Sequence, residues 1–246
     1  MAMCGRYASF REDQQIADEF AIGSVADDIR LLPPSWNLAP TDAIRIVVDR
    51  PERREDGAHG ALTRQLRTAR WGLMPSWAID PSIGNRLINA RVESLLDKPA
   101  FKRPFALRRA LLPADGYYEW QAPEPGALTR TKQPYYLHPA DGGPLALAGL
   151  YEFWKDTTMA DDDPARGLVS ATIITTAATG ELARIHDRRP LMLRREAWDA
   201  WLDPDLDAAG AMELVLGPAP DVIATPISTA VNAVANDGPE LIRPLD

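Results

Sequence analysis

Apolar and polar positions alternate with a period of two along much of this chain, and with a helical period in only a few places. Residues 6–10 read as a short strand, and an amphipathic helix is expected at 11–20, where Ile16, Ala17 and Phe20 share a face. Residues 32–40 contain Pro33, Pro34 and Pro40 and are not expected to form regular structure, because proline lacks an amide donor and restricts its predecessor. Strands are predicted at 43–48 and 62–73, flanking a polar loop at 51–60 that resembles a hairpin insertion. Residues 89–98 have helical character. Further strands are predicted at 109–113, 117–121, 135–138, 145–154 and 169–175, with polar connections at 123–131 and 157–167. One or two helical turns follow at 180–185, then a helix at 195–202 presenting Trp198 and Trp201, and a late strand at 221–226. Strands predominate, helices interrupt them irregularly, and there is no βαβα rhythm, internal repeat or compositional break. The pattern predicts an α+β fold: a single domain over 1–246 made of twisted, mostly antiparallel β-sheets with peripheral helices.

Composition narrows the setting. No apolar run is long enough to span a membrane, and the N-terminus lacks the basic-then-apolar pattern of a signal peptide. One cysteine excludes an internal disulfide, and with only His59, His138 and His186 beside it a Cys/His zinc site is not expected. A reducing, cytoplasmic location fits. The net charge of −8 argues against a nucleic-acid partner until its distribution is considered. Between Arg64 and Arg109 ten positive side chains face only Asp80, Glu93 and Asp97, a local +7 that leaves −15 for the remainder. Local field governs polyanion binding more than the sum does. Spacing alone fits a basic groove and arginines scattered over several faces equally well.

Several residues are candidates for chemistry. Cys4 lies almost at the N-terminus, next to Gly5, which allows close backbone approach. A cysteine that becomes the first residue carries an α-amine of pKa roughly 7.7–8.0 and a thiol of roughly 8.5, and the pair can close a thiazolidine ring on an aldehyde. A lone cysteine is by default an inert buried residue. Arg6 suits a phosphate or a surface carboxylate. Asn89 and Arg91 could orient an amine and a phosphate, or act as a helix cap and a partner of Glu93. Glu119, between Tyr118 and Trp120, suits acid–base work if desolvated, although strand alternation could turn it to solvent. His186 lies at an element end before Pro190, whereas His59 and His138 read as surface residues. The tryptophans read as core by default, and Trp77, in Pro75-Ser-Trp-Ala, is the one best placed to stack on a base.

The order of the motifs carries a resemblance that no single one does. Cys4-Gly-Arg-Tyr7, Trp36-Asn-Leu-Ala-Pro40, Trp71-Gly-Leu-Met-Pro-Ser-Trp77 and Asn89-Ala-Arg-Val-Glu93 come first. Pro113-Ala-Asp-Gly-Tyr-Tyr-Glu-Trp120, Lys132-Gln-Pro-Tyr135, Ala148-Gly-Leu-Tyr-Glu152, Ile185-His-Asp-Arg-Arg-Pro190 and the segment 231–244 follow. Together they resemble the SRAP family, the SOS-response-associated peptidases or abasic-site processing proteins, over essentially the whole chain. The resemblance implies capture of abasic sites in single-stranded DNA, including at single/double-strand junctions, by a thiazolidine crosslink through an N-terminal cysteine. It implies Cys4 as nucleophile and amine, Asn89 positioning the amine or sugar, Glu119 as acid–base group and His186 moving protons and assisting reversal. Arg6, Asn37, Trp71, Trp77 and Arg91 then correspond to DNA-binding positions. It also implies lyase and self-directed peptidase activity in the SOS response, no cofactor or metal, and a monomer in the cytoplasm.

Two departures stand out. Where the family often has a further arginine, this chain has Pro99, with Lys98, Lys102 and Arg103 nearby as substitutes. Met1-Ala2-Met3 precedes the cysteine, so Met3 is expected to be the native initiator and Met1-Ala2 an extension. The competing functional readings are a cysteine peptidase or amidohydrolase using Cys4, His186 and Asn89, and a non-catalytic single-stranded-DNA binding module.

Overall fold

A computed structural model describes residues 4–25, 32–53, 59–127, 130–163 and 166–245. The expectation about Met1–Met3 lies outside the described residues, as do positions 54–58 of the predicted hairpin loop and the side chain of His59.

Five long strands close on themselves because each is apolar on its inward face. In chain order the first strands are β1 (Tyr7–Ser9), β2 (Ser24–Val25), β3 (Ser35–Leu38), β4 (Ala43–Arg53), β5 (His59–Trp71), β6 (Asn89–Arg91) and β7 (Arg109–Ala114). They are followed by β8 (Gly116–Gln121), β9 (Gln133–Pro139), β10 (Leu145–Lys155) and β11 (Gly167–Ala177), then β12 (Arg188–Pro190), β13 (Met192–Leu193) and β14 (Val222–Pro226). Strands β11, β10, β7, β4 and β5 pair antiparallel in that order, and β5 returns to β11 in parallel, closing a small barrel. Ile44, Ile46, Val48, Ala69, Trp71, Ala110, Leu112, Leu145, Leu147, Ala171 and Ile173 fill it. These residues recur at every second position, as the pleat requires.

A second, antiparallel sheet, in the order β14-β9-β8-β1-β3, lies over one end of the barrel. Its Tyr7, Tyr117 and Leu137 join the barrel core, while Ala8, Tyr118 and Tyr136 face the C-terminal segment at Ile227, Val231 and Leu241. The outer barrel wall, at Val47, Leu66, Leu111 and Leu150, is covered by helices α1 (Asp13–Glu19), α2 (Pro99–Leu107), α4 (Trp198–Leu202) and α5 (Ala208–Val215); a short α3 (Leu182–Ile185) precedes β12. This is the expected α+β arrangement of mostly antiparallel sheets with peripheral helices.

Two local expectations are corrected, and one helix forms where no element was predicted. Residues 32–40 do contain a strand, β3, because the prolines flank Ser35–Leu38 and leave its backbone free to pair with β1. Asn89–Arg91 is a strand, pinned by parallel pairing with Ile173–Thr175 of β11, and only a 3-10 turn at Val92–Ser94 follows it. Helix α2 forms despite Pro104, burying Phe101 and Phe105 against the barrel. Tertiary burial outweighs the hydrogen bond that proline removes.

Candidate active site

The β1–β8 ladder brings the N-terminus to Glu119. Tyr7 lies opposite Tyr117, and Glu119, two residues further along β8, projects from the same face. The backbone nitrogen of Cys4 donates to Glu119 Oε1 at 2.9 Å. Asn89, at the start of β6, approaches from the barrel side, its Nδ2 donating to the Cys4 carbonyl at a long 3.5 Å. Trp71 supports that approach from below: its Nε1 donates to the Ile88 carbonyl at 2.9 Å, one residue before Asn89.

Burial sets the electrostatics. Glu119 is 5 % exposed, and desolvation raises its carboxyl to about 7, opposed by the Cys4 amide and reinforced by the nearby charge of Asp187. Burial likewise pushes the Cys4 thiol well above its usual range, with the Glu119 charge adding to the effect. Cys4 also holds φ at 40°, in the left-handed region that costs an L-residue about 1–2 kcal/mol. Beside it the hydroxyls of Tyr7 and Tyr117 are buried with no hydrogen-bond partner among the described residues.

His186 ends α3, which packs against β8. Its Nδ1 accepts the Arg188 amide at 3.1 Å and lies 3.0 Å from Asp187 Oδ1. The two contacts ask opposite roles of Nδ1, acceptor toward the amide and donor toward the carboxylate. No hydrogen bond joins His186 to Cys4 or Glu119 among the described residues.

The expected DNA contacts divide into two groups. Trp71 is fully buried inside the barrel, edge-on to Tyr7 at 5.2 Å, so it cannot stack on a base. Asn37 is also buried, and its Nδ2 donates to the carbonyls of Val231, Ala233 and Asn236, which fastens the C-terminal segment to β3. Neither lines an open groove: alternation along β5 and β3 turns both inward. Arg6 is half-buried and donates to Asn37 Oδ1 at 2.8 Å and the Val231 carbonyl at 3.0 Å. By contrast Trp77 is 60 % exposed, on a loop held by Trp154 Nε1 donating to the Ala78 carbonyl at 2.6 Å. Arg91 is exposed as well. Glu93, its expected partner, instead accepts both terminal nitrogens of Arg188 at 2.5 and 2.9 Å, and Arg91 has no ion pair among the described residues. Lys98 and Arg103 are exposed at and within α2 on the outer barrel wall.

The positive run from Arg64 to Arg109 therefore does not form one face. Arg64 pairs with Asp49 and Asp199, and Arg109 is buried, donating to the carbonyls of Phe105, Ala106, Trp201, Asp203 and Leu206. The exposed remainder includes Arg86, Arg91, Lys98, Lys102 and Arg103. Residues absent from the sequence-based site are Tyr7, Tyr117 and Arg188. Period-two alternation before Glu119 was a usable signal for Tyr117, whereas the Arg188–Glu93 pair spans 95 residues and has no local signature.

A family model described as SOS response associated peptidase (SRAP) matches residues 3–234. The chain belongs to the SRAP family. It is 36% identical over 243 residues to the abasic site processing protein YoqW of Bacillus subtilis (strain 168), covering 98% of this chain and 99% of that one. It is 32% identical to the abasic site processing protein YedK of Escherichia coli (strain K12), covering 99% and 100%. A crystal structure of a protein from Bacteroides thetaiotaomicron superimposes with a TM-score of 0.77 at 22% identity, covering 98% of this chain and 100% of that one, which shows the shared SRAP-like fold.

Proposed function

We propose that this chain captures abasic sites in single-stranded DNA by a covalent bond through Cys4. The observation that carries this reading is the 2.9 Å contact between the Cys4 nitrogen and Glu119 Oε1. When Cys4 is the first residue that nitrogen is an α-amine, and the φ torsion that strains Cys4 no longer exists. Burial disfavours the charged forms of both groups, so a proton can pass from the α-ammonium to the Glu119 carboxylate and leave a neutral, nucleophilic amine.

The ring-opened deoxyribose presents an aldehyde at C1′. The neutral amine adds to C1′, the resulting hydroxyl takes a proton from Glu119, water leaves, and Glu119 takes back the proton of the iminium nitrogen to give an imine. The Cys4 thiol then adds its sulfur to C1′ while its proton passes to the nitrogen, closing the thiazolidine with no net oxidation. The raised thiol pKa keeps sulfur protonated until that step. Asn89 holds the Cys4 carbonyl, and His186 serves the sugar hydroxyl and the reverse reaction. Arg91 and Arg6 contact the phosphates and Trp77 stacks on a neighbouring base. The same imine supports β-elimination, and the same nucleophile and carboxyl support cleavage of the peptide bond before Cys4.

Protein beginning at Cys4 is incubated with single-stranded DNA bearing one abasic site and analysed on a denaturing gel. A persistent shifted band is expected, absent for Cys4→Ala and for the chain that retains Met1–Met3. Failure to form an adduct while intact DNA still binds overturns the covalent reading.

A further inference from the structure

Two buried groups beside Cys4 have no part in the chemistry above. Tyr7 and Tyr117 lie directly opposite each other on the β1–β8 ladder, and both are fully buried in the barrel core that also contains Cys4. Neither hydroxyl has a hydrogen-bond partner among the described residues. A buried tyrosine hydroxyl ordinarily finds one, and leaving it unpaired is destabilising. Two phenylalanines would fill the same space without that penalty, so packing alone does not account for the pair. Nor are the rings free to turn away. Tyr7 is held edge-on to Trp71 at 5.2 Å, and Tyr117 is fixed by its register with Tyr7 on one side and Leu137 of β9 on the other.

The charged and titratable groups around the two hydroxyls have one member in common. Cys4, Glu119 and Arg189 of β12 act on Tyr117; Arg45 of β4, Cys4 and Asp42 act on Tyr7. Burial raises both phenols far above their usual range, with Arg189 opposing it at Tyr117 and Arg45 at Tyr7. Both therefore remain protonated, as donors, at neutral and mildly alkaline pH. The sulfur they share is the atom that needs donors. As the thiazolidine closes, the S–C1′ bond forms and the thiol proton passes to nitrogen, so sulfur gathers negative charge on the way. Burial opposes that charge, and an ionised Glu119 adds to the opposition. Hydrogen bonds to an ionised acceptor are roughly twice as strong as those between neutral groups. Donors that stay unpaired beside a resting thiol and engage an anionic sulfur stabilise only the state in which the charge has developed.

We propose that the hydroxyls of Tyr7 and Tyr117 are a pair of hydrogen-bond donors for the Cys4 sulfur as it becomes a thiolate. They transfer no proton and touch no DNA. The pair rests on the proposed capture of abasic sites only in taking Cys4 as its nucleophile.

The test needs no DNA. Protein beginning at Cys4 is alkylated with iodoacetamide from about pH 7 to about pH 10, which reads the thiolate of the chain's one cysteine. Tyr7→Phe and Tyr117→Phe each remove one oxygen and keep the ring, and denaturant unfolding checks that both are folded. Each should move the alkylation profile toward higher pH by about one pH unit, as expected for losing one hydrogen bond to a charged acceptor. The double variant should move it further than either. Hydroxyls with a merely structural role would change the unfolding midpoint and leave the profile in place. An unmoved profile in either folded single variant overturns the proposal. Failure of an abasic-site adduct to form, with the profile displaced, would count against the capture reading and not against the donor pair.

Discussion

The backbone nitrogen of Cys4 and the carboxylate of Glu119 are hydrogen-bonded at 2.9 Å although 115 residues separate them. The contact exists because β1 is clamped between β8 and β3, so the residues just before β1 reach the far end of β8. A buried carboxyl is thereby placed against the one nitrogen of the chain that Cys4 exposes as an amine when it is the first residue.

Glu119 should make stability depend on pH in the chain that retains Met3. Its folded-state value, about 7, is raised above the unfolded value near 4.3. Its contribution is therefore fully present below the unfolded pKa and is lost as pH rises through 7. Wild type should lose about 3 kcal/mol relative to Glu119→Gln between pH 4 and pH 8. Denaturant unfolding across that range checks this, and parallel curves would show that Glu119 does not titrate there. In protein beginning at Cys4, the same substitution should slow crosslinking by about 100-fold, in line with loss of a general acid–base group.

The two tryptophans of the Trp71–Trp77 motif should separate cleanly. Trp71→Ala removes a fully buried ring from the barrel and should cost about 3–5 kcal/mol of folding stability. Trp77→Ala should leave stability within about 0.5 kcal/mol and weaken single-stranded-DNA binding by about 1–3 kcal/mol. Unfolding curves and fluorescence anisotropy measure the pair; equal DNA affinity for Trp77→Ala and wild type would remove the stacking role.

Arg91 should act as a phosphate contact because Arg188 occupies Glu93. Arg91→Ala should lower affinity similarly for different sequences and reduce the slope of log affinity against log salt by about 1. An unchanged slope means that Arg91 touches no phosphate.

Tyr117→Phe should not destabilise the fold. The hydroxyl is buried without a partner among the described residues, so its removal should gain about 1 kcal/mol. A measured loss of stability by denaturant unfolding would reveal a partner for this hydroxyl.

Local pattern was most legible where burial is continuous. Strands β4, β5, β7, β8, β10 and β11 could be read from the chain because their alternation is dense and their ends are marked by polar or proline-bearing segments. β3 and β6 were not legible, since four and three residues carry little periodicity and their conformation is imposed by partners far away in sequence. Helix α2 was obscured by Pro104, whose cost is outweighed only once Phe101 and Phe105 have a barrel to pack on.

The sequence by itself determined the α+β class, the run of ordered motifs and the identity of the reactive candidates, because these depend on residue type and local spacing. Only the tertiary structure decided which candidates meet. It put Glu119 on the Cys4 nitrogen, turned Trp71 and Asn37 inward, gave Glu93 to Arg188 and left Arg91 exposed. Each of these outcomes depends on sheet register and barrel closure. Register and closure are set by the summed burial of apolar faces from distant strands, and no short stretch of sequence contains that sum.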